Sequence, residues 1–213
     1  MRRESSSLEV SRWAALMDRM RIGENLETFE KLRAAYSERH RHYHTGEHIN
    51  QCLAELDSVR HLAREPDEIE LALWFHDAVY VTRSKQNESK SAKWATEFLA
   101  HNSFHAARAR RVHALIMATT HAASSDDPDT SLLIDIDLSI LGADPESFGR
   151  FERNVRKEYW WVPSPLFRRT RATVLQSFLD RPSVYANPIF RDRLENAARR
   201  NLAMAITDLI KEN

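Results

Sequence analysis

Residues 132–141 read LLIDIDLSIL, and how this stretch is assigned decides the fold. Its apolar and acidic residues alternate closely enough to suggest a strand, yet the chain offers no second segment of the same kind to pair with it. Elsewhere the apolar residues recur at helical spacing. The C-terminal segment is the clearest case, with Phe190, Leu194, Ala198, Leu202, Ile206 and Ile210 four apart behind an Asn187-Pro188 start. The same periodicity marks helices over about 8–20, 25–39, 46–63, 67–80, 88–101, 104–120, 131–142, 145–160 and 165–180. A lone strand among nine helices has nothing to bond to, so the expected class is all-α.

Composition narrows the function. The 213 residues carry 31 Lys+Arg against 31 Asp+Glu, a balance unlike the basic surface of a generic nucleic-acid binder. A single Cys excludes an internal disulfide and a cysteine zinc cage, and suits the cytoplasm. With four glycines there is no GxGxxG or Walker string. No apolar run reaches the roughly 18–20 residues of a membrane span, and MRRESSSLEV lacks the apolar core of a secretory signal. No linker or repeat divides the sequence, so a single domain over 1–213 is expected. Ten histidines remain to be explained, six of them between His40 and His76.

Three groups of polar residues stand in unsuitable surroundings. Ile69–Val79, IELALWFHDAV, is apolar on almost every face and ends in His76 and Asp77. A buried ionised carboxylate is costly without a cation or hydrogen bonds. Asp135 and Asp137 interrupt LLIDIDLSIL, and two helical residues point about 200° apart, so one site takes one of them. Tyr43-His44-Thr45-Gly46-Glu47-His48 places two histidines four apart, on a shared face if helical. Each alone has an ordinary structural explanation. Together they supply the mixed imidazole and carboxylate donors that a divalent transition metal takes.

The order His … His-Asp … Asp resembles the signature of the HD superfamily of metal-dependent phosphohydrolases. Tyr43-His44-x-x-x-His48 is similar to the YHNxxH string of cyclic-nucleotide phosphodiesterases, and Asp137-Leu138-Ser139 to their ADLS string. The strings RHYHTGEHI, LALWFHDAVY, NESKSA, IDIDLSILG and VRKEYWWVP, spread over residues 41–163, resemble a family of small HD hydrolases of about this length. Thr45 departs from the phosphodiesterase string, where Asn stands. The nucleotide-clamping glutamine context of those enzymes is missing too, so cyclic nucleotides are not implied.

The resemblance implies an HD-type helical bundle that holds a divalent ion (Mn, Fe, Co, Ni, Zn or Mg) through His48, His76, Asp77 and Asp137. Asp135 is the alternative last ligand. It further implies phosphate-ester hydrolysis by metal-activated water, with Asp77 or Asp137 orienting the water and His44 as general acid. His121, Glu88 and Arg41 are candidates for a second metal or for the substrate, which would be a small, nucleotide-like phosphorylated molecule. Arg168, Arg169 and Arg171 offer further phosphate donors, and Tyr159-Trp160-Trp161 suits either ring stacking or burial, including burial in a homodimer. Two other readings share the scaffold: a di-iron oxygenase and a non-catalytic metal-containing module.

Overall fold

A computed structural model describes residues 8–121 and 125–211, and among them every regular element is helical. The first seven residues of the MRRESSSLEV segment and three of the polar loop after His121 lie outside the described residues. The chain divides into two compact units, Met1–Ile136 and Asp137–Asn213. The first contains α1 (Val10–Met20), α2 (Leu26–Ala35), α3 (Gly46–Val59), α4 (Pro66–Phe75), α5 (Asn87–His101), α6 (Ala106–Ala118) and α7 (Pro128–Asp137), which ends one residue past the division. The second contains a 3-10 turn (Leu138–Gly142), α8 (Pro145–Glu158), α9 (Ser164–Leu179) and α10 (Pro188–Lys211). The segment LLIDIDLSIL is helical throughout. Among the described residues no helix is long and apolar enough to cross a membrane.

Helix α4 is the axis of the first unit. Pro66 opens it, Asp67 and Glu68 occupy its first turn at the positive end of the dipole, and every residue from Glu68 to Phe75 is buried. It packs against α1, α3, α5 and α6. Trp74 meets Trp13 edge-on at 5.5 Å, and Phe75 meets Trp94 and Phe98 at 5.7 and 5.5 Å between ring centroids. Two glutamates are buried with this apolar surface, each answered by arginines from neighbouring segments. Glu68 accepts from Arg108 and Arg111, and Glu70 from Arg12, Arg19 and Arg60 at 3.0, 2.6 and 2.7 Å. Asp129, at the start of α7, accepts from the backbone N–H groups of Arg64 and Glu65 at 2.8 and 2.9 Å.

Helix α4 stops at Phe75, five residues short of the end that the apolar pattern suggests. At Ala78 the backbone tightens, its N–H bonding to Phe75 O at 2.9 Å. Side chains then take over the groups a further turn would have used. Arg41 donates to the carbonyls of Asp77 and Ala78, and Ser91 accepts from the N–H of Val79. His76 and Asp77 therefore sit in a pinned turn rather than on a helix.

In the second unit, α10 packs against α9 and against the 3-10 turn. Tyr185 Oη donates to Leu138 O, and the Asn201 amide donates to Leu141 O and Ala143 O, all near 3 Å. The pattern had suggested one helix over 131–142; these donors hold its last five residues in the tighter 3-10 form. Gly142 is required there, since a Cβ would lie 2.6 Å from Leu194 Cβ and 2.9 Å from Leu194 O. The stripe along α10 is buried at Phe190, Ala198 and Leu202, whereas Ile210 is exposed.

Candidate metal centre

Three positions set by different elements converge on one point. His48 is the third residue of α3, whose start is set by Thr45 in an extended conformation followed by Gly46. His76 and Asp77 are presented by the turn after α4, and Asp137 is the closing residue of α7. The Nε2 atoms of His48 and His76 are 3.2 Å apart, and both imidazoles are buried. Asp77 Oδ2 lies 3.1 Å from His76 Nε2 and 3.7 Å from His48 Nε2. Ligand atoms of His48, His76 and Asp137 all fall within 4.8 Å of one another.

These distances suit a shared cation. Two nitrogens each about 2.0–2.1 Å from one ion at a near-tetrahedral angle stand about 3.3 Å apart, close to the separation found. The proton inventory agrees. His76 Nδ1–H donates to Leu73 O at 3.0 Å, which leaves the Nε2 lone pair facing the cluster. The donor set of two imidazoles and carboxylates therefore fits a divalent ion, and tolerates several metals.

Electrostatics at Asp77 point the same way. Burial alone would push its carboxyl up, but the imidazoles of His76, His44 and His48 outweigh that and hold it well below the usual carboxylate range. It is an anion, and a bound cation would supply there the positive charge that a protonated imidazole supplies without one.

His44 reaches the cluster by a different route from the one its spacing suggests. It precedes α3 rather than sharing a helical face with His48, yet the two rings are 6.1 Å apart at 76°. Tyr80 stacks on His44 at 4.1 Å between centroids, and the His44 carbonyl accepts from Arg41. Arg41 itself is committed elsewhere. Its buried guanidinium bonds the carbonyls of His44, Asp77 and Ala78 and the carboxylate of Glu38, so it fastens the His44 loop to the His-Asp turn.

The remaining candidates lie outside the grouped ligands. Asp135, 1 % exposed, is one of the buried residues of α7, and it is Asp137 that joins the histidines. His121 follows α6 in a left-handed conformation, φ 55°, and Glu88 is half-buried in the first turn of α5. Arg171 is held by Glu152 at 2.5 and 3.1 Å, and Trp160 is 74 % exposed. Two further side chains border the cluster, Tyr80 against His44 and Cys52 against His48. Cys52 Sγ is 3.7 Å from both nitrogens of His48, four residues before it, and that spacing was the available signal. Nothing comparable marked Tyr80.

No family model, curated protein or solved structure matches the chain.

Proposed function

We propose that this protein is a metal-dependent phosphohydrolase acting on a small phosphate ester, with the His48–His76–Asp77–Asp137 cluster as its metal centre. The observation that carries the reading is the 3.2 Å approach of two buried Nε2 atoms beside the Asp77 carboxylate. The HD-like order of those ligands in the sequence supports it. His48 and His76 would hold the ion through Nε2, and Asp77 and Asp137 through carboxylate oxygens. Bound there, a divalent ion supplies an acidified water and offsets charge growing on phosphoryl oxygens.

The chain's own groups do the rest. Leu73 O keeps the proton of His76 on Nδ1 once an ion is held, so Nε2 is the nitrogen left to hold it. Arg41 holds both the His44 loop and the Asp77 turn, which keeps the acid candidate at a constant distance from the ligands. The His44 ring, stacked on Tyr80, is restrained in orientation and can hand a proton to the leaving oxygen.

The test is metal analysis of purified protein followed by a phosphate-ester panel that includes nucleoside monophosphates. One divalent ion per chain and metal-dependent release of phosphate are expected. His76→Ala and Asp77→Ala should lose both, whereas His44→Gln should keep the ion and lower kcat by about 10²-fold. Hydrolysis unchanged in His76→Ala or Asp77→Ala would sink the reading. Two irons per chain would favour oxygenase chemistry instead.

A further inference from the structure

The second unit contains a cavity of about 380 Å³ walled by α8, α9 and α10. That volume is in the range of small-molecule sites, roughly 300–1,000 Å³. Its apolar wall includes Phe148, Phe167, Met204 and Leu209, and its polar groups are three arginines, two carboxylates and Ser164. Arg153, Arg156 and Arg168 face two carboxylates, Glu152 and Asp208, and Arg171 already neutralises Glu152 through two contacts.

The arginines are not equivalent. Arg156 is fixed: it donates to Tyr159 O and Val162 O at 2.7 and 3.1 Å, and its guanidinium lies 4.6 Å from the centre of the Phe167 ring. Arg153 has no hydrogen bond or ion pair among the described residues, so its donors are available to a ligand.

Gly149 supplies an independent observation. It lies inside α8, where glycine costs about 1 kcal/mol relative to alanine, and no positive φ requires it. It lines the cavity, and a Cβ added there would meet Arg153 Nη1 at 3.2 Å, tighter than an ordinary contact. The absent Cβ lets the Arg153 guanidinium lie directly over the helix backbone at the cavity. Such a local departure from helix preference is characteristic of functional positions.

We infer that this cavity binds a small organic anion with an apolar body, its acidic head at Arg153 and Arg156 and its body against Phe148, Phe167 and Met204. A bare inorganic anion would leave the apolar wall unsatisfied, and a neutral hydrocarbon would leave the Arg153 guanidinium without a partner. The site is separate in sequence from the metal ligands, so it stands or falls apart from the hydrolase reading.

The test is calorimetric titration of the full chain with monomeric sodium decanoate, and with decanol as the uncharged control. Saturable one-site binding of decanoate is expected, with decanol weaker by about tenfold or more. Arg153→Gln, at an exposed position, should weaken decanoate by about tenfold. Gly149→Leu should abolish binding while leaving the thermal midpoint unchanged or raised, because leucine favours the helix. No saturable decanoate binding, equal binding of decanol, or undiminished binding by both variants would each overturn the proposal.

Discussion

Glu70 and Asp77 are carboxylates withdrawn from water, at 1 % and 16 % side-chain exposure, and compensated by different means. Glu70, 1 % exposed in the middle of α4, accepts from three arginines at sequence separations of 58, 51 and 10. Asp77 is surrounded by imidazoles. A buried carboxylate with its partners intact is tolerated, but removing one partner leaves charge stranded, typically costing about 3–5 kcal/mol. Glu70→Gln should therefore destabilise the protein by about 3 kcal/mol in urea unfolding, the lower end, because Arg12, Arg19 and Arg60 are partly exposed and can turn to water. A loss under about 0.5 kcal/mol, the level of an ordinary surface change, would mean the arginines do not depend on that charge. The sequence shows why one carboxylate was legible and the other was not. Asp77 follows a histidine and shares its surroundings with a short local string. Glu70 looks like one more polar residue in an apolar helix, and its partners are scattered over the chain with no spacing to mark them.

Helical periodicity located the elements well but placed their ends by apolar content alone. Both α4 and α7 stop short of their apolar patterns, and side chains from distant segments bind the carbonyls just beyond each end: Arg41 at one, Tyr185 and Asn201 at the other. At α4 the donor also shapes the candidate centre, since Arg41 pins the turn in which His76 and Asp77 lie beside His48. The approach to α10 uses the same device with a carboxylate. Glu195 accepts from the N–H groups of Val184 and Tyr185 and from Ser183 and Arg199, fixing the turn before the helix. Burial raises the Glu195 carboxyl, but these donors outweigh it and hold the group below its ordinary range. A depressed folded-state pKa stabilises above the unfolded value, about 4.3 for Glu, and that contribution is lost as pH falls through the folded one. Glu195→Gln should cost about 1–2 kcal/mol at pH 7. The gap between variant and parent should close as unfolding is followed below about pH 4. A gap independent of pH would show that the oxygen geometry, and not the charge, holds the turn.

At the scale of the whole molecule the chain carries balanced charge, and arginines answer the withdrawn carboxylates Glu68, Glu70, Glu152 and Glu195. In the proposed centre a cation would join residues 48, 76–77 and 137, positions far apart in the chain and brought together only by folding. The unfolded chain offers no such site, so metal binding must appear as stability: about 2.7 kcal/mol with the ion at 100 times its dissociation constant. For a protein of this size each kcal/mol moves Tm by about 2–4 °C. Removing the ion with a chelator should lower Tm by roughly 5–10 °C, and restoring it should recover the loss. Asp137→Asn should remove most of that metal-dependent increment. Asp135→Asn should instead lower Tm equally with and without metal, because Asp135 is buried in α7 outside the grouped ligands. The two substitutions thus separate the alternatives that two acidic residues in one apolar stretch had left open. If Asp135→Asn erased the increment and Asp137→Asn did not, the last ligand would be assigned to the wrong face of α7.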